Sequence, residues 1–104
     1  TIEELIAAEQ TRISVFNASG VEGLAGQTAD YLTSHGFEVV EVGNEVWSST
    51  SSITMYTSKP YTATFLKDQA NINSYNINWY PSPDADVDVI FILGVDWANN
   101  NPMP

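Results

Sequence analysis

The sequence has 104 residues and no cysteine, 43% of it hydrophobic and 12% aromatic, with 13 acidic against 3 basic side chains for a net charge of −10. That length encloses one core without disulfide or metal staples, so a multidomain enzyme is excluded. The longest apolar run, Val89–Leu93, is far short of the ~20 residues of a membrane helix. Arg12, Lys59 and Lys67 are too few and too scattered to neutralise a nucleic-acid backbone. Neither nucleic acid nor direct membrane insertion is therefore expected.

In chain order, Ile2, Leu5 and Ile6 recur at helical spacing behind Thr1 and Glu4, which are offset like a capping box, so residues 1–11 read as a short helical linker. RISVFN from Arg12 is β-branched and alternating, and predicts a strand. Ser19 precedes Glu22 by three positions, the spacing of a second capping box. It places a helix start there, with Val21, Leu24, Ala25, Thr28 and Leu32 as the buried stripe and Gly36 as the terminator. Phe37 to Val42 predicts the next strand.

The polar stretch around Trp47 reads as a loop. Ile53 to Thr57 predicts a third strand. Pro60 suits the first position of a helix running to about Ala70, with Tyr61, Phe65 and Leu66 buried. Tyr75, Ile77 and Trp79 alternate as a half-buried strand, and Val87 to Leu93 forms the last one. Residues 98–104 have too little apolar character to pack and read as a flexible tail.

The order strand, helix, strand, strand, helix, strand, strand predicts an α+β domain over residues 12–97. It is a two-layer arrangement of the split βαβ type, with a mixed sheet of four to five strands and two main helices. In the last strand Val89, Phe91 and Leu93 alternate with Ile90 and Ile92, so both of its faces are apolar. With both helices on one side, Ile13, Val15, Val89 and Phe91 serve the core. Phe16, Ile90 and Ile92 then share the opposite face as a candidate interaction surface. The alternative is that Ile2, Leu5 and Ile6 fold across that face and bury it.

Four constellations invite chemistry. Asn17 to Gly26 lies where a dinucleotide fingerprint sits, but Ala18 replaces its first glycine and Glu22 faces the phosphates, so Gly20 and Gly23 are read as packing positions. Asp84, Asp86 and Asp88 lack the glycine and glutamate of a calcium loop and read as a solvated edge. His35, the one histidine, reads as an exposed helix-end residue rather than a catalytic base. Among the large aromatics, Trp79 and Tyr61 read as core, leaving Trp47 in its polar loop as the candidate glycan contact. No catalytic residue, metal or cofactor is expected.

Together, ISVFNASGVEGLAGQTADYLTSHGFEVVEVGN, ITMY and ADVDVIFILGVDW resemble the C-terminal domain of the LytR/CpsA/Psr family of cell-envelope proteins. The shared features are the turn Asn17 to Gly20, Gly23 to Ala25, Gly36-Phe37, Gly43-Asn44 and Leu93 to Asp96, with Ala18 departing from the usual glycine. The resemblance implies an extracytoplasmic, non-catalytic accessory domain of a cell-envelope protein, carried either behind the catalytic domain of a membrane-anchored enzyme that attaches glycopolymers to the cell wall or in an anchored protein lacking that domain. The catalytic arginines and aspartates of such proteins belong to another domain. Implied partners are the upstream domain of the parent protein or a second copy; the alternative is a glycan- or peptidoglycan-binding module. A start at Thr1 with no leader-like segment reads as an excised piece, anchored through sequence outside it.

Overall fold

A computed structural model describes residues 1–73 and 76–104. Their elements are α1 (Ile2–Glu9), β1 (Arg12–Asn17), α2 (Leu24–Ser34), β2 (Glu38–Asn44), β3 (Ser52–Met55), α3 (Pro60–Ala70), β4 (Ile77–Trp79), β5 (Val89–Leu93) and α4 (Val95–Asn99). The five strands form one mixed sheet in the order β2-β1-β5-β3-β4. β1 runs parallel to both β2 and β5, β3 is antiparallel to β5, and β4 is parallel to β3. The α+β class follows as expected, but neither βαβ unit is split. β1-α2-β2 and β3-α3-β4 each join neighbouring strands, and β5, arriving last, pairs between the two units.

Alternation decides which residues enter the core. Ile13, Val15, Val89, Phe91, Leu93, Ile53 and Met55 point to one side of the sheet, where they meet Ile6, Leu24, Leu32, Leu66 and Trp97 from the four helices. The expected helix-side residues are therefore core. Trp97 is locked there by its indole N–H, which donates to Thr28 Oγ1 at 2.9 Å, and by an edge-on contact with Phe91.

Several local expectations are corrected. Thr1 and Glu4 do form a capping box on α1, but this helix is more than a linker. Ile6 is 2% exposed in the common core, worth ~2 kcal/mol of apolar burial. Glu9 accepts the backbone N–H groups of Tyr61 and Thr62 at 2.8 Å each, capping α3 from a distance. Ser19 does not cap α2. The helix begins at Leu24 behind Gly23, whose φ of 82° is the left-handed region glycine tolerates. A Cβ on Gly23 would meet nothing within 4 Å, so backbone conformation rather than close packing selects glycine there. Val21 is consequently exposed rather than part of the stripe.

α3 matches its expected span, but its buried face is Thr62, Leu66 and Ala70, while Tyr61 is exposed and Phe65 half-buried. Trp79 is exposed on edge strand β4, because β4 has a neighbour on one side alone. The expectation for Tyr75 lies outside the described residues. The C-terminal segment does pack: Met103 lies against the core cluster, and Asn101 Nδ2 donates to the Trp97 carbonyl at 2.7 Å.

Candidate functional site: the uncovered face of the sheet

Opposite the helices, Phe16 sits in register with Ile92, and Ser14 with Ile90. Across the next ladder Ile92 faces Ser52 and Ile90 faces Thr54. The three apolar residues singled out from the sequence are thus brought together on adjacent central strands. None of them belongs to the core cluster, and Phe16, Ile90 and Ile92 are half-buried, as a sheet face without a second layer leaves them. Cover by the N-terminal segment is overturned, since Ile6 packs on the helix side. Gly43, in register with Phe16, keeps the patch flat: a Cβ there would stand 3.1 Å from the Phe16 ring.

The face is closed at one end by an ion pair. Arg12 donates from its backbone N–H, Nε and Nη2 to the Asp88 carboxylate at 2.9, 3.3 and 3.1 Å. Burial pushes the Asp88 carboxyl up, but the hydrogen bonds from Arg12 and Thr57 outweigh it and hold the group below its usual range. Hydrogen bonding to Asp88 raises Arg12 in turn. Asp88 is therefore no solvated edge residue. It lies 4% exposed at the foot of the central strand, whereas Asp84 and Asp86 are exposed. Among the described residues, no group of three or more His, Asp or Glu side chains is placed to hold a metal ion.

Trp47 lies elsewhere, beyond the carboxyl ends of β1 and β2. It is 64% exposed and lines a cleft of about 360 Å³ with Asn17, Gly20, Glu22 and Glu45. The turn beneath it is tied by Asn17, whose Oδ1 accepts from Ser19 N at 2.9 Å and Ser19 Oγ at 2.6 Å, and whose Nδ2 donates to the Val21 carbonyl at 2.7 Å. Its loop is fastened too, because Ser48 N donates to the Ala18 carbonyl at 2.9 Å and Ser51 Oγ to Asp96 at 2.6 Å. His35 is half-buried, with ring centroids 4.6 Å from Tyr31 and 5.2 Å from Phe65, a packing position rather than an exposed helix end.

Two aromatics that the sequence offers among its large rings, without singling them out, share the uncovered face. Tyr56 and Tyr80 line a cleft of about 600 Å³ with Thr54, Pro81 and Ser82. Tyr56 follows the alternation of β3 one step beyond its end, so its outward placement was readable from Thr54. Tyr80 was not, because its position depends on the parallel pairing of β4 with β3.

Residues 10–97 match the family described as LytR cell envelope-related transcriptional attenuator. The vesiculogenesis and immune response regulator of Mycobacterium tuberculosis is 42% identical over 50 residues, a stretch covering 48% of this chain and 30% of that protein. The chain therefore matches less than a third of that relative's length. In fold, the chain is similar to the soluble domain of a conserved hypothetical secreted protein from Mycobacterium marinum. The TM-score is 0.62, with 92% of this chain and 70% of that one covered at 23% identity.

Proposed function

This chain belongs to the LytR_C family of cell-envelope-associated proteins, and from that premise we propose that it is a non-catalytic, extracytoplasmic accessory domain that acts by docking. The observation that carries this reading is the helix-free sheet face, on which Phe16, Ile90 and Ile92 form one apolar patch outside the core. A fold that already buries Ile13, Val15, Phe91 and Trp97 on the other side has no structural need for these three residues to be apolar. The partner in this reading is the rest of the parent protein or a second copy, and the parent is a protein of cell-wall glycopolymer attachment.

An extracytoplasmic address is supported by the relative described as secreted. No helix of the described residues is long and apolar enough to cross a membrane; in this reading the anchor is carried by sequence outside this chain. The test is amide shift mapping of the labelled domain, either at rising concentration or against the remainder of its parent polypeptide. Changes centred on β1 and β5 at Phe16, Ile90 and Ile92 are expected; changes confined to the outer surfaces of α2 and α3 count against this face.

A second reading, a glycan-binding module, is favoured by the number of rings left in solvent. Trp47, Trp79, Tyr61 and Tyr80 are all more than 40% exposed, where the sequence placed Trp79 and Tyr61 in the core.

A further inference from the structure

We infer that the cleft between Tyr56 and Tyr80 is a binding site for an uncharged sugar chain, an inference that rests on the glycan-binding reading and gives it a place and a ligand class. The cleft opens on the uncovered side of the sheet, because Thr54, which lines it, is in register with Ile90. Its walls are two phenol rings, a proline ring and two small hydroxyl side chains, with no charged group among the lining residues described. Flat apolar rings beside hydroxyls match a pyranose, which presents C–H groups on its faces and hydroxyls around its rim.

The backbone that carries both rings is fixed by hydrogen bonds. Tyr80 N donates to the Met55 carbonyl at 2.9 Å, Ser82 N to the Tyr56 carbonyl at 2.9 Å, and Tyr56 N to the Asp88 carbonyl at 2.8 Å. The backbone of the platform is thus ordered before any ligand arrives, which lowers the entropic cost of binding. Tyr31 donates its hydroxyl to Gln69, whereas the hydroxyls of Tyr56 and Tyr80 make no hydrogen bond among the described residues and are available to a ligand. Charge then selects the sugar. A chain of net charge −10 repels phosphate- or carboxylate-bearing polymers, and a cleft without carboxylates gives a cationic amino sugar nothing to pair with. The Trp47 cleft differs on this point, since Glu22 and Glu45 line it.

The test is titration of the labelled domain with three tetramers: β-linked N-acetylglucosamine, its cationic de-N-acetylated form, and galacturonic acid. Amide shifts at Thr54, Tyr56, Tyr80 and Ser82 with the uncharged tetramer are expected, and binding at least about tenfold weaker for the anionic one. Tyr80→Ala, at a side chain 62% exposed, weakens the uncharged tetramer about tenfold with an unchanged melting temperature, while Tyr80→Phe keeps most of the affinity because it keeps the ring. Shifts confined to the Trp47 cleft, lost in Trp47→Ala and retained in Tyr80→Ala, overturn this site and leave sugar binding standing. Absence of shifts with all three tetramers overturns the site and the glycan-binding reading together.

Discussion

Arg12 and Asp88 hold each other through main chain and side chain at once. The Asp88 carboxylate accepts from the Arg12 backbone N–H at 2.9 Å and from its guanidinium, while Asp88 N donates to the Arg12 carbonyl at 2.9 Å. One of the three basic side chains of an acidic protein is thereby committed to joining the starts of β1 and β5, the two central strands that carry the apolar patch.

This pair makes stability depend on acid. The Asp88 carboxyl is held below its usual range in the folded protein, so its contribution is complete above the unfolded value of ~3.9 and is lost as the pH falls through the folded value. Asp88→Asn is expected to cost about 1–3 kcal/mol at neutral pH. Urea midpoints of wild type and variant are expected to converge as the pH is lowered below the unfolded value of ~3.9 and through the folded one; a gap that stays constant across the acid range would contradict the assignment.

The Leu93-Gly94-Val95-Asp96 segment is dictated by a close crossing. A Cβ on Gly94 would lie 2.4 Å from the Thr50 carbonyl carbon and 2.7 Å from Ser51 N, both backbone atoms that cannot step aside. Ser51 Oγ accepts from Gly94 N at 2.8 Å and donates to Asp96 at 2.6 Å. Gly94→Ala is expected to destabilise by ~3 kcal/mol or more. A melting temperature within a degree or two of wild type would refute the crossing.

In the β1-α2 turn, Asn17 rather than Ser19 is the organising side chain. It is 8% exposed and engages Ser19 and Val21 through three hydrogen bonds. Asn17→Ala should cost about 2–3 kcal/mol and Ser19→Ala no more than about 1.5 kcal/mol, because the first leaves the buried Ser19 N–H unpaired while the second frees the N–H of the exposed Val21, which water can reach. Chemical denaturation ranks the two, and the reverse order contradicts the network.

α1 is integral to the domain. Glu9→Ala removes the distant cap of α3 and should lower stability by about 1–2 kcal/mol. Deleting residues 1–10 also strips Ile6 from the core and should cost more. A deletion variant that melts with wild type would make the segment a true linker.

Much of the fold was legible because it is written locally. The Thr1 and Glu4 box, the α3 span from Pro60 to Ala70 and the double-sided β5 follow from spacing within a few residues. The apolar patch was legible for the same reason: alternation assigns Phe16, Ile90 and Ile92 to one face once the helices take the other. What stayed hidden depends on partners far along the chain. Asp88 reads as a solvated acid until Arg12, 76 positions away, is found beside it. Ser19 and Glu22 have the spacing of a cap, yet the serine oxygen accepts from Val21 N, only two residues on, and the left-handed Gly23 delays the helix start to Leu24. Trp79 alternates with Asn78 as a half-buried residue would, but an edge strand leaves it in solvent. Trp97 closes the last motif at the edge of the polar tail, and its place in the core depends on Thr28, far along the chain, and on Phe91 in the sheet.

The docking claim is tested most directly by Ile92→Glu, with stability and association measured on the same sample. Ile92 lies outside the core cluster, so the account predicts a folded variant whose melting temperature stays near that of wild type. Light scattering should show loss of self-association, or calorimetry loss of binding to the remainder of the parent protein, because an unpaired carboxylate enters the centre of the patch. Phe91→Glu, one position away on the core side, should unfold the domain. A folded Ile92→Glu variant that associates as tightly as wild type would contradict the account.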